Sequence, residues 1–88
     1  MKLNVYSVFD SKAGAYIPPF FMQNDGVARR AFGDSANDVN HQFCAHAEDY
    51  TLFRLGTFDD ATGVIELEDT HLSLGVAIEY MTPLEVSE

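Results

Sequence analysis

The phrase FDSKAGAYI at Phe9–Ile17 returns, slightly altered, as FDDATGVIE at Phe58–Glu66. Each copy runs aromatic, Asp, three turn-tolerant residues, Gly, then back to apolar residues. The Asp side chain can accept bonds from backbone N–H groups ahead of it, and the Gly can take positive φ without steric cost. A four-residue hairpin loop closed by a glycine bulge is the construction this chemistry suits. The repeat therefore predicts two β-hairpins, one turning near Gly14 and the other near Gly63.

Between them lies one helical segment. Lys2–Phe9 is rich in β-branched and aromatic residues and reads as a strand, and Ala15–Ile17 is its return. Pro18 and Pro19 then stop regular pairing, because neither can donate to a ladder. Phe20–Met22 is an apolar entry segment. Asn24 is a good N-cap, and Asp25 suits the positive end of the helix dipole. Val27, Ala28, Ala31, Phe32 and Ser35 make one stripe of a helix ending near Asn37. Residues 38–49 fit a helix through Val39, Phe43 and Ala47, or a structured loop. Thr51–Phe58 and Val64–Leu67 form the second hairpin. Leu72, Leu74, Val76, Ile78 and Tyr80 alternate strictly, as a fifth C-terminal strand would, although the same run could make a short helix.

The expected fold is thus α+β, a ββαββ arrangement whose helix packs on a small, mainly antiparallel sheet. It occupies residues 1–82 as one domain, with 83–88 as a flexible tail. Val5, Phe32, Phe53, Leu55 and Ile65 are the expected core. With seven Phe, four Tyr and no Trp, Phe must supply most of the large core volume. A chain of this size buries only about 60–65% of its unfolded surface, so self-association would help it. Short strands with open edges point the same way, and a homodimer is expected.

Charge is divided unevenly along the 88 residues, whose formal net charge is −9. The first 54 carry all five bases, Lys2, Lys12, Arg29, Arg30 and Arg54, against six acids; the remainder carries eight acids and no base. An anionic partner must therefore meet the first part of the fold. Cys44 is the only cysteine, so no internal disulfide forms, which suits a reducing cytoplasm. No apolar run approaches the ~18–20 residues needed to span a bilayer.

Several constellations can be weighed as chemistry. His41, Cys44 and His46 offer three zinc-ligand types, but a structural site needs four and their spacing is unusual, so they read as polar loop residues. Asp59-Asp60 and Glu66-x-Glu68-Asp69 lack the calcium-loop pattern, and Asp59 has a turn to make. No glycine-rich phosphate loop opens the helix and no nucleophile–base motif is present. No cofactor and no enzyme activity are expected. For single-stranded nucleic acid the suitable types are present: Lys12, Arg29, Arg30 and Arg54 as cations, with Tyr16 and Phe20 as stacking rings.

The order VYSVFDSKAGAYIPPFF, NDGVARRAF, EDYTLFRLGTFDDATG and LSLGVAIEY resembles the small non-structural protein of gokushoviruses, single-stranded DNA phages of the microvirus group. The resemblance covers roughly residues 1–80. It implies a DNA-binding accessory to genome synthesis or packaging, acting in the bacterial host cytoplasm and outside the virion. On that reading single-stranded DNA is bound weakly, with salt sensitivity, from the side of Arg29 and Arg30. The alternative is an acidic module that binds a host or phage protein without touching DNA.

Overall fold

In a computed structural model, which describes residues 1–82, the first strand is the centre of the sheet. Strand β1 (Lys2–Asp10) pairs along one side with β4 (Tyr50–Asp59) over its whole length. Its other side is shared by two short strands, β2 (Ala15–Tyr16) against Phe9 and Asp10 and β3 (Phe20–Met22) against Asn4–Tyr6. Strand β5 (Val64–Val76) completes the five-stranded antiparallel sheet beyond β4. Both glycine turns form as expected: Gly14 and Gly63 have φ of 67° and 75° and donate back to Asp10 and Asp59.

Helix α1 (Asp25–Ala36) starts at Asn24, whose side chain accepts from the Val27 amide, and ends at Asn37. Its buried positions are Ala28, Phe32 and Ala36, spaced by four, so it can lie close on the sheet. Val27, expected in that stripe, is 42% exposed at its margin. Residues 38–49 contain a short helix α2 (Gln42–Ala45) and a 3-10 turn over Ala47–Asp49, so both readings of that stretch hold in part. Phe43 and Ala47 anchor it in the core; Val39 remains exposed.

The apolar alternation near the C-terminus is divided between two elements. The return strand does not stop at Leu67 but continues to Val76, and Ala77–Tyr80 turns into helix α3. The fifth strand is instead β3, where the chain rejoins β1 just after the two prolines. The tail expected at 83–88 lies outside the described residues.

All three helices pack on one face of the sheet. Tyr6, Val8, Tyr50, Leu52 and Leu74 rise from the strands to meet Ala28, Phe32, Ala36, Phe43, Ala47 and Ala77. Strand alternation sends Leu3, Val5, Ser7 and Phe9 to the other face, which no helix covers. Val5 and Phe32 are buried as expected. Phe53 and Leu55 are only half-buried, and Ile65 is 50% exposed, because it lies on the uncovered face. Leu55 is displaced by a bulge: Val5 and Tyr6 pair with Gly56 and Arg54, leaving it without a place in the ladder.

Candidate functional site

The uncovered face carries a group of rings near the first hairpin turn. Phe9 and Tyr16 are paired across β1 and β2, and their ring centres lie 4.9 Å apart. Tyr16 meets the edge of Phe53 at 5.8 Å and that of His71 at 5.5 Å, the latter nearly perpendicular. The Tyr16 hydroxyl lies 3.3 Å from His71 Nδ1. Phe9 and Phe53 form a half-buried floor, with Tyr16 and His71 exposed above it. Lys12 projects from the adjoining turn, whose shape is held by Asp10 Oδ1 accepting from the Lys12 and Ala13 amides.

On the helix side a polar knot joins the start of α1 to the sheet. Arg54 donates through Nη1 to Asp25 at 2.6 Å and through Nε to Glu68 at 2.8 Å. The second oxygen of Asp25 accepts from the Tyr6 hydroxyl at 2.7 Å, and Asn4 donates to that hydroxyl. Burial alone would raise the Asp25 pKa, but the bonds from Tyr6 and Arg54 more than reverse this and hold it below the ordinary value. Its bond to Glu68, with the one to Asp25, raises the Arg54 guanidinium further. Burial, with the bond to Asp25, pushes Tyr6 up to about 12. Arg54 therefore fastens α1, β4 and β5 together, and its charge is matched by two carboxylates.

The six residues singled out in the sequence lie in several places. Tyr16 belongs to the ring group and Lys12 to the turn beside it. Arg29 and Arg30 are exposed on α1, in the opposite layer, and neither makes an ion pair among the described residues. Arg54 is in the polar knot. Phe20 is half-buried beneath α1, stacked on Tyr6 with ring centres 5.9 Å apart. The four cations thus do not converge on one surface, and the two rings face opposite sides of the sheet.

Phe9, Phe53 and His71 complete the ring group, and no local pattern in the chain marks them as a site. Phe9 could have been found from the hairpin itself, since a four-residue loop from Ser11 to Gly14 sets it opposite Tyr16. His71 could not, because its position depends on an irregular stretch of β5. There, the two-residue step from Arg54 to Gly56 faces the five-residue step from Leu72 back to Leu67.

His41 acts as a helix cap: its Nδ1 accepts from the Phe43 amide at 3.0 Å, while Cys44 is half-buried nearby. Among the described residues no group of three or more His, Cys, Asp or Glu is placed to hold a metal ion. A shallow hollow at the far end of the sheet is lined by Lys2, Thr57, Asp59, Thr62, Val64 and Glu66. It is open to solvent and contains none of the rings. No helix among the described residues is long and apolar enough to cross a membrane.

The model of one protein family, described as Phage ORF5 protein, matches residues 3–80. The chain belongs to this phage family. The match runs from the second residue of β1 to the end of α3, so the ring group, the polar knot and both glycine turns all lie within it. No curated protein and no solved structure gives a significant match.

Proposed function

We propose that this Phage ORF5 protein is a non-enzymatic accessory of viral genome synthesis or packaging that holds single-stranded DNA against the uncovered sheet face. The observation that carries the reading is the ring group of Phe9, Tyr16, Phe53 and His71, open to solvent on a sheet backed by helices. Unpaired bases have apolar faces that stack on such rings, at about 1–3 kcal/mol per base. A duplex keeps its base faces hidden, so the surface selects single strands. The resemblance to the gokushovirus non-structural protein supplies the matching substrate, a single-stranded DNA genome. The protein would act in the host cytoplasm, outside the virion.

The placement of charge sets the character of binding. Lys12 is the cation beside the rings, while Arg54 is matched by its two acids and Arg29 and Arg30 lie behind the sheet. Few phosphates can be neutralised, so log K should fall with log salt at a slope of about −0.7 to −1.4 for one or two contacts. The test is a fluorescence polarisation titration of a labelled oligothymidine at low and physiological salt. Tyr16→Ala should weaken binding by about tenfold or more, which the stacking term alone supports. Arg29→Ala combined with Arg30→Ala should change it little. A loss caused by the arginine pair and not by Tyr16→Ala would move the site to α1.

A second reading is favoured by one observation: no Lys or Arg occupies a strand position on the uncovered face. That suits a host or phage protein better than a polyanion. Absence of oligonucleotide binding even at low salt would leave this reading in place of the first.

A further inference from the structure

The uncovered face extends well beyond the ring group. Two cross-strand rows follow from the register: Leu3, Phe58 and Ile65 in one, and Phe21, Val5, Gly56 and Leu67 in the other. Phe21 and Phe58 touch, with ring centres 5.3 Å apart. Despite those contacts Phe21 is 42% exposed, Ile65 50% and Leu67 70%. Glu66 and Glu68 alternate to the helix side and neither row contains a charged residue; Asp69, in step with Leu67 and His71, stands on the same face between the second row and the ring group.

We infer that this face is the interface of a homodimer, with two copies of the chain packed sheet to sheet. Charge restricts where a second copy can meet the first. Each chain carries a net −9, so two copies repel wherever their acids meet and can approach closely only through an uncharged surface. The two rows offer that surface. Size agrees as well. Four strands side by side at about 4.8 Å span roughly 19 Å, and a ten-residue strand such as β4 is about 33 Å long. The projected area is roughly 600 Å² before side-chain relief is added, close to the ~800 Å² per partner of a standard stable interface.

The rows and the ring group share one face, so the dimer and the proposed DNA complex exclude each other. The dimer does not depend on the DNA reading and is tested without DNA. Light scattering on the eluting protein at tens of micromolar should give about twice the 9.8 kDa chain mass. Raising salt should tighten the dimer, because screening weakens the repulsion between two acidic bodies. DNA binding responds to salt in the opposite sense. Phe21→Glu and Leu67→Glu lie at opposite margins of the face, and each alone should return the protein to monomer mass. Leu67 is so exposed that its substitution leaves the core untouched, and circular dichroism checks both folds. Val39→Glu, on the exposed loop after α1, should leave the dimer intact.

A monomer mass up to several hundred micromolar would overturn the inference. So would a dimer broken by Leu67→Glu and indifferent to Phe21→Glu in its folded form, since that pattern describes pairing along the β5 edge instead.

Discussion

Arg54→Met tests whether the arginine of the polar knot is a fastener. The substitution keeps most of the apolar stem and removes the guanidinium, leaving Asp25 and Glu68 facing each other without their cation. Two unit charges 4 Å apart interact by about 4 kcal/mol at an effective dielectric of 20, but desolvation and screening cancel much of that. The Arg54 side chain is 25% exposed and its partners 29% and 35%, between the exposed and buried limits. About 1 kcal/mol per contact is appropriate there, and the newly unopposed carboxylates add to the loss. The expected destabilisation is about 2–3 kcal/mol, a large part of the roughly 4–13 kcal/mol available to a chain of this length. Melting should fall by about 10–20 °C.

The pH dependence gives a second readout. The Asp25 pKa is lowered in the folded protein, so its contribution is complete above the ordinary aspartate value of 3.8 and is lost as pH falls through the folded value. The gap between wild type and Arg54→Met should therefore narrow from pH 5 towards pH 3. The assay is urea unfolding followed by far-ultraviolet circular dichroism, since the chain has no Trp. Adding Glu68→Gln to Arg54→Met should recover part of the loss at neutral pH. A loss below about 0.5 kcal/mol, the range of ordinary surface substitutions, would refute the fastener reasoning. So would a gap that stays constant down to pH 3.

Gly56→Ala should be far more damaging than Gly14→Ala. A Cβ at position 56 would lie 2.1 Å from the Glu66 carbonyl oxygen and 2.9 Å from Leu67 Cα, both backbone, so β4 and β5 must separate there. A Cβ at position 14 meets open space and pays only for its positive φ, about 1–2 kcal/mol; thermal melts of the two variants compare them directly. Asn37→Ala should loosen the end of α3, because that side chain donates to the Gly33 and Tyr80 carbonyls and accepts from the Thr82 amide. A loss of about 1–2 kcal/mol, with faster hydrogen exchange at the Thr82 amide, is the expected result.

The parts of this fold legible in the sequence are those whose cause is local. Asp10 with Gly14 and Asp59 with Gly63 specify their turns within five residues, and Asn24 caps α1 three residues ahead of the amide it bonds. The misplaced parts depend on distant partners. Phe20–Met22 becomes a strand because β1 offers it an edge, which nothing within those three residues records. Ile65 has the composition of a core residue, but whether it is buried depends on which sheet face the helices cover. Leu55 falls out of the ladder through a bulge that shifts β4 against β1. The candidate site is divided in the same way. Tyr16 could be named from its own chemistry, whereas Phe53 and His71 join it only through the pairing of β4 and β5.

The position of β1 in the middle of the sheet has a consequence during synthesis. Its first partners, β2 and β3, are made almost at once, but β4 begins about forty residues later. At ordinary translation rates of about 5–20 residues per second, that interval is roughly 2–8 s. For those seconds the growing chain presents an unsatisfied row of amides and carbonyls along Lys2–Asp10, flanked by Val5, Val8 and Phe9. The segment that closes the row is Tyr50–Asp59, and every neighbouring chain on the same message carries an identical copy. Crowded ribosomes would thus favour exchange of the second hairpin between nascent chains, and sparse ones would favour each chain closing on itself.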